Sequence, residues 1–137
     1  MNFWLIKSEP FVYSWQQFKK EKRSGWEGVR NYGARNNLRD MKKGDLAFFY
    51  HSNEGLAIMG IAKVVKEAFQ DPTSDNPAWL SVEFAPFKDM KVPVTLEQIK
   101  SEPSLQNMDL VRLGRLSVGK VTEQEFVKVC DMGGVEF

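Results

Sequence analysis

A mixed α+β fold around a small curved sheet or barrel is the fold class that the sequence predicts. Apolar runs of strand length, separated by short helix-start signals, indicate the mixture, and a glycine inside one run is typical of a bulge or tight corner. Helices and strands do not alternate regularly, which argues against a doubly wound parallel sheet. Because 137 residues is the size of one domain, we expect a single domain over residues 1–137.

The N-terminal elements are predicted from short local patterns. The apolar run at residues 3–7 predicts a first strand, and Ser14–Gln17 has the capping-box form that begins a short helix. That region is expected to end at Gly25. Residues 31–41 predict a second short helix, which is expected to stop before Gly44.

Apolar runs predict the central strands. Residues 46–51 and 56–65 are apolar enough for buried strands, and the second contains Gly60. Residues 80–84 alternate between apolar and polar side chains, as in a strand with one solvated face. A further short strand is predicted at residues 110–113.

Capping boxes predict two later helices, which begin after Thr95 and after Thr122. In the second, Phe126, Val129 and Cys130 share one face, which we interpret as buried. Cys130 is the only cysteine and is expected to be a small core residue.

The composition excludes several classes of protein. Hydrophobic residues make up 42% and aromatic residues 12% of the chain, too many for a disordered segment. One cysteine and one histidine exclude an internal disulfide and a Cys/His zinc cluster. No apolar run approaches the roughly 20 residues that span a bilayer. We therefore expect a cytoplasmic monomer with no cofactor, no metal and no membrane partner.

The charge is unevenly distributed, although the net charge is only +1. Residues 19–43 contain nine basic and three acidic side chains, a local charge of +6. A local basic segment on a nearly neutral protein is typical of contact with a stretch of phosphate backbone. The alternative is that its lysines form a solvated helix face.

Catalytic motifs are scarce. The sequence contains no glycine-rich phosphate loop, no paired-histidine zinc helix and no nucleophile elbow. Any acid–base chemistry by histidine would have to use His51, so the residues give little support for an enzyme.

Five separated motifs, in order along the chain, resemble those of the EVE domain family. They are Trp4–Pro10, Trp26–Asn36, Gly44–Asn53, Asp71-Pro72 with Trp79, and Arg115–Val118. The resemblance implies a PUA-like fold, a small curved mixed β-barrel with short peripheral helices. It also implies binding of a modified nucleobase, such as a modified cytosine in DNA or a modified base in RNA.

The residue types within these motifs suit recognition of a base that has left its stack. Aromatic faces stack on bases, amides and hydroxyls read base edges, and arginines hold phosphates. Tyr32 belongs to the same arginine-rich segment, and His51 can donate or accept a hydrogen bond. The candidate binding residues are Trp4, Ser8, Trp26, Arg30, Asn31, Tyr32, Arg35, Asn36, Tyr50, His51, Ser52, Trp79, Arg115 and Ser117.

Each candidate also has a structural interpretation. The three aromatic residues Trp4, Tyr50 and Trp79 suit the core as well as a pocket, and His51 suits a plain structural hydrogen bond. Asparagines often cap turns, and arginines often form internal ion pairs. These alternatives concern Asn31 and Asn36 as caps, and Arg30 and Arg35 as partners of Glu9 or Asp45.

The sequence thus predicts a non-enzymatic nucleic-acid-binding module that recognises a modified base beside an arginine-rich face. Two alternatives stay open. One is an enzyme that acts on nucleotides or modified bases through His51 as acid or base. The other is a protein-interaction module that has kept the fold without nucleic-acid binding.

Overall fold

The structure is a computed structural model that describes residues 1–137, with six strands in one sheet. The strands are β1 (Phe3–Ser8), β2 (Ser24–Gly25), β3 (Leu46–His51), β4 (Ala57–Gln70), β5 (Leu80–Thr95) and β6 (Val118–Val121). The α-helices are α1 (Trp15–Glu21), α2 (Tyr32–Asp40), α3 (Leu96–Ser101), α4 (Asp109–Arg112) and α5 (Glu123–Met132), and a 3-10 turn covers Pro103–Leu105. None of these helices is both long and apolar enough to cross a membrane.

The sheet is mixed, with the strand order β2-β5-β4-β3-β1-β6. Only β1 and β3 are parallel, and all other neighbours are antiparallel. The pairing of β4 with β5 shifts register at four places, and such bulges bend and twist a sheet. Because β1 and β3 are parallel and Ser8 pairs with His51, the loops that follow both strands leave the sheet at the same edge.

Both faces of the sheet are covered, which explains why several strands are continuously apolar. In β1, Phe3 and Leu5 pack into one core cluster, whereas Trp4 and Ile6 pack into the other. Helices α3, α4 and α5 cover the first face, and α1 and α2 cover the second. The residues that these helices contribute include Ile99, Leu110 and Phe126 on the first face and Trp15, Phe18 and Leu38 on the second.

The glycine predicted to mark a bulge does so. The register of β4 against β5 shifts between Ile58 and Gly60, and the indole of Trp15 packs directly over Gly60. A Cβ at Gly60 would lie 2.2 Å from Trp15 Cζ2, so this close approach of α1 to the sheet requires glycine. Trp15 Nε1 also donates to Asp89 Oδ1 at 2.7 Å, which holds the ring in place.

Most helix predictions are confirmed. Ser14 accepts from the backbone N–H of Gln17 and caps α1, although the Gln17 side chain turns to Glu21 instead of completing the capping box. The capping boxes at Thr95 and Thr122 are complete in both directions.

The strand prediction at residues 110–113 is wrong, because this segment belongs to α4. The N–H groups of Arg112 and Leu113 bond to the carbonyls of Met108 and Asp109, so the chain coils locally instead of joining the sheet. The strands β4 and β5 are longer than predicted, and the sequence reasoning did not find β2 or β6.

Ion pairs reduce the free charge of the basic segment at residues 19–43, whose contact with phosphate stays a prediction. Four of its cations form ion pairs, and three of these use acids from the rest of the chain. The pairs are Lys19–Asp89, Arg23–Glu83, Arg30–Asp71 and Arg39–Asp40. Long-range pairing therefore removes much of the local excess charge that the sequence shows.

Candidate nucleic-acid interface

Two adjoining depressions, each of about 650 Å³, lie beside the carboxyl ends of β1 and β3. The aromatic depression is lined mainly by Ser8, Val12, Tyr13, Gly25, Trp26, Glu27 and Gly28. The basic depression is lined mainly by Tyr50, Ser52, Lys100, Leu110, Arg115 and Ser117. Lys7 and Glu9 line both depressions and therefore join them.

Trp26 is held firmly in the wall of the aromatic depression. Its ring meets those of Phe49 and Phe84 edge to face, at centroid distances of 5.6 and 5.7 Å. Its backbone N–H donates to the carbonyl of Val82 at 2.7 Å. Only 9% of Trp26 is exposed, so the residue belongs to the core and presents a small surface to the depression.

Polar groups at the rim of the aromatic depression are largely engaged with one another. Ser8 Oγ donates to the Tyr13 carbonyl, and Tyr13 Oη donates to Glu21 at 2.7 Å. Burial, together with this contact to Glu21, raises the pKa of Tyr13 to about 12. Glu9 Oε1 accepts from Asn53 Nδ2 at 2.6 Å, and Glu9 Oε2 has no partner. The rim therefore offers Glu9 Oε2 and both carboxylate oxygens of Glu27, which has no hydrogen-bond partner.

Lys7 lies at the boundary that the two depressions share. Its Nζ donates to the Gly114 carbonyl at 2.7 Å and lies 5.9 Å from the centroid of the Tyr50 ring. Burial lowers the pKa of Lys7 and raises that of Tyr50. Tyr50 is only 3% exposed, so it forms a mostly apolar floor below the lysine.

The lining of the basic depression carries a net positive charge. Lys7, Lys100 and Arg115 oppose the single acid Glu9, which gives +2. Arg115 is exposed and forms neither a hydrogen bond nor an ion pair. Its guanidinium is free to bind an anion such as a phosphate.

A second group of predicted residues forms a series of neighbouring arginine and aromatic side chains, which we call the arginine–aromatic ladder. The guanidinium of Arg35 lies 5.2 Å from the centroid of the Tyr32 ring, and this ring lies 4.9 Å from that of Trp79 with the two planes tilted by 34°. The guanidinium of Arg30 lies 5.6 Å from the centroid of the Trp79 ring. Arg35 Nε also donates to Asn36 Oδ1 at 2.9 Å.

A buried carboxylate connects the ladder to the aromatic depression. Asp71 Oδ2 accepts from Gly28 N at 2.8 Å and from Arg30 Nη1 at 2.9 Å. Asp71 Oδ1 accepts from both the N–H and the hydroxyl of Thr73. Burial alone would raise the pKa of Asp71, but the donors at Thr73, Arg30 and Gly28 outweigh it and hold the pKa well below its usual range.

The alternative that Arg30 and Arg35 form internal ion pairs predicted the wrong acidic partners. Arg30 pairs with Asp71, and neither Arg30 nor Arg35 bonds to Glu9 or Asp45. Asp45 instead accepts from Trp4 Nε1 at 3.0 Å. Trp4 is 3% exposed and lies in the core, outside both depressions.

His51 and Asn31 both serve helix starts. His51 Nε2 accepts from the backbone N–H of Trp15 at 3.0 Å, and burial lowers the pKa of His51. The ring is therefore neutral, with its proton on Nδ1. Asn31 caps α2, because its side-chain oxygen accepts from Ala34 N at 3.0 Å.

The structure thus divides the predicted site residues among four places. Ser8 and Trp26 lie at the aromatic depression, and Tyr50, Ser52, Arg115 and Ser117 lie at the basic depression. The ladder with its amide neighbour comprises Arg30, Tyr32, Arg35, Asn36 and Trp79. Asn31, His51 and Trp4 make the structural contacts described above.

Four charged lining residues were not among the sequence candidates, namely Lys7, Glu9, Glu27 and Lys100. Lys7 and Glu9 flank Ser8 in the first motif, and their charge beside a strand end was a usable signal. Lys100, at the end of α3, carries no such signal. No group of three or more His, Cys, Asp or Glu side chains is placed to hold a metal ion.

The family profile of the EVE domain matches residues 2–132 of this chain. The chain belongs to this family. Among its relatives, thymocyte nuclear protein 1 of mouse is 36% identical over an alignment of 159 positions. The alignment covers 91% of this chain and 70% of the mouse protein.

Solved structures agree with this membership. Protein Atu2648 from Agrobacterium tumefaciens is 48% identical, with a TM-score of 0.96 over 98% of this chain and 94% of its own. The human THYN1 protein, in complex with DNA that contains 5-methylcytosine, is 36% identical, with a TM-score of 0.91 over the whole of both chains. The ASCH structure from Zymomonas mobilis, 12% identical with a TM-score of 0.60 over 96% of this chain and 95% of its own, shares the fold. The predicted α+β, PUA-like class is thereby confirmed.

Proposed function

We propose that this protein binds nucleic acid without catalysis and recognises a modified cytosine in DNA. The complex of the human relative with DNA that contains 5-methylcytosine supports this proposal. The observation that carries it here is the pair of adjoining depressions, one aromatic with free carboxylate oxygens on Glu9 and Glu27 and one with a charge of +2. A base and its backbone phosphates need these two environments side by side.

The base occupies the aromatic depression. A base in duplex DNA must leave its stack to be read on every edge, and a pocket compensates by stacking and hydrogen bonds. Trp26 offers the aromatic surface, and Glu9 Oε2 accepts from the N4 amino group of cytosine, a donor that carboxylates recognise. The volume of about 650 Å³ lies within the usual range for ligand sites.

The phosphates bind the basic depression. Lys7 stands between the two depressions, so it can contact the phosphate nearest the bound base. Arg115 has no internal partner to give up, and its fork binds phosphate oxygens in pairs. Ser52 and Ser117 add neutral donors beside these cations.

His51 has a structural part in this proposal. Its Nε2 lone pair is used by the Trp15 N–H, so the ring holds α1 against the end of β3. No contact of His51 favours the alternative enzyme over binding.

The test separates base reading from phosphate contact. Fluorescence anisotropy measures affinity for DNA and RNA oligonucleotides, single- and double-stranded, that differ only in one cytosine methyl group, at several salt concentrations. We expect the parent to prefer methylated DNA by about tenfold, or ~1.4 kcal/mol. Arg115→Ala should weaken binding and lower the salt slope by about 0.9, the value of one phosphate contact.

Glu9→Gln should weaken binding to methylated cytosine by about tenfold, because it replaces the carboxylate proposed to accept from the N4 amino group with a neutral amide, and should leave the salt slope nearly unchanged. Lys43→Ala is the matched charge control for Arg115→Ala. Lys43 lies just before the first residue of β3, at the end of the strand away from the depressions, and its side chain has no acidic partner. Equal affinity for methylated and unmethylated DNA would contradict the proposal. A preference for methylated RNA would mean that the ligand is RNA instead of DNA.

A further inference from the structure

The turn between β1 and α1 carries two exposed apolar side chains. Phe11 is 82% exposed and Val12 is 77% exposed, and Phe11 is the most exposed of the large hydrophobic residues. Neither side chain packs against the core clusters. An adjacent apolar pair of this exposure suggests a surface that a binding partner covers.

The turn is held rigidly by hydrogen bonds. The Glu9 carbonyl accepts from the N–H groups of both Val12 and Tyr13, at 2.9 and 2.8 Å. Ser8 Oγ donates to the Tyr13 carbonyl, and the Glu9 carboxylate accepts from Asn53 across the neighbouring loop. Pro10 restricts the backbone within the turn. Phe11 is therefore presented on a preorganised support, so little backbone order is lost when it binds.

The turn also forms part of the candidate site. Val12 and Tyr13 line the aromatic depression, so the exposed Phe11 directly precedes, in sequence, the residues that form its wall. Lys7, at the end of the preceding strand, brings positive charge to the same place. An apolar side chain suits contact with stacked bases, and a neighbouring cation suits contact with their phosphates.

We propose that Phe11, supported by Val12, inserts into the base stack of duplex DNA where the modified cytosine has been extruded. This inference rests on the proposed function. An extruded base leaves a gap between unstacked neighbours, and an apolar side chain that enters the gap offsets part of that cost. A single strand has no paired stack to be repaired, so Phe11 matters for duplex DNA and hardly at all for single strands.

The experiment compares Phe11→Ala and Phe11→Leu with the parent on three DNAs. These are a matched duplex with one 5-methylcytosine, the same strand alone, and the duplex with a mismatch opposite the 5-methylcytosine. Phe87→Ala is the matched control, because Phe87 is 41% exposed and lies with Gly44 and Leu46 at the other end of β3. All of these positions are exposed, so the variants are expected to fold.

We expect Phe11→Ala to weaken binding to the matched duplex by about tenfold and to change single-strand binding by less than about twofold. The mismatched duplex should recover most of the loss, because its cytosine is cheaper to extrude. Phe11→Leu should keep most of the affinity. A 2-aminopurine placed beside the methylated cytosine should brighten less with Phe11→Ala than with the parent.

Equal losses on single and double strands, or no loss on the duplex, would overturn the insertion. The unmodified duplex, titrated alongside, distinguishes the two proposals. A parent without preference for the methylated duplex overturns the proposed function and the insertion together. A parent with that preference and an unaffected Phe11→Ala overturns the insertion alone.

Discussion

Asp71→Asn is expected to destabilise the protein strongly, although it keeps the shape of the side chain. The carboxylate is fully buried and accepts four hydrogen bonds, two on each oxygen. Its partners are Gly28, Arg30 and Thr73, so it ties the wall of the aromatic depression to the ladder and to the following loop. An amide keeps only one acceptor and turns its NH₂ group toward donors.

The magnitude follows from the two ways in which the amide can be placed. With the NH₂ at the Oδ1 position, the Thr73 hydroxyl can turn to accept, but the Thr73 N–H is left without an acceptor. With the NH₂ at the Oδ2 position, the Gly28 N–H loses its acceptor, and Arg30 keeps only the Val29 carbonyl and the Thr73 hydroxyl. The first placement is less costly, and one lost bond, one unsatisfied N–H and a weaker contact to half-exposed Arg30 cost about 2–3 kcal/mol.

Thermal and urea unfolding at pH 7 measure this loss, which should appear as a fall in Tm of about 10 °C. Asp75→Asn in the same loop is the control, since Asp75 is exposed and makes no side-chain contact. A loss below about 0.5 kcal/mol would refute the reasoning, because it would mean that the four bonds add nothing beyond hydration.

The pH dependence supplies a second check on Asp71. Its pKa is lowered in the folded state, so its contribution is fully present above the unfolded pKa of about 4 and is lost as the pH falls through the folded pKa. The stability difference between the parent and Asp71→Asn should therefore be constant from pH 7 to about 5 and shrink below about 4.

Two further predictions concern α1. Gly60→Ala should lower the free energy of unfolding, measured by urea denaturation, by about 3 kcal/mol, because its methyl group would overlap the Trp15 ring. Gly114→Ala, with open space around it, should have little effect, and equal losses would contradict this account. His51 has a lowered pKa, so the parent should lose stability as the pH falls through about 6.5. His51→Gln can still accept from Trp15 N–H but does not titrate, so its stability between pH 7.5 and 5.5 should fall less; an identical fall would exclude His51 as the cause.

Local sequence patterns predicted the helix starts well, because an N-cap needs only a side-chain oxygen and an N–H three residues away. Thr95, Thr122 and Asn31 show this directly. Sheet partners were harder. The four residues of β6 contain Gly119 and Lys120 and show no strand pattern of their own, yet they pair with β1. At residues 110–113, local coiling prevailed over an apolar run that resembled a strand.

The sequence indicated some of the residues that line the two depressions but not their arrangement. Trp4, Asn31 and His51, which it also indicated, lie outside both depressions. Trp26, Tyr50 and Arg115 lie in motifs that mark the family, and the chain belongs to that family. Their division between an aromatic and a basic depression depends on the parallel pairing of β1 with β3, which brings Ser8 beside His51. Two residues 43 positions apart in sequence become neighbours only through that pairing.

The sequence by itself determined the mixed fold class, the helix caps, the bulge at Gly60 and the family, since these depend on residue types and short spacings. Only the tertiary structure decided which charges are free. Arg30 and Arg115 are alike in sequence, but Asp71 holds Arg30, whereas Arg115 stands open beside the basic depression. Pairing between charges is set by distance in space, and distances between residues far apart in the chain exist only once the sheet has formed.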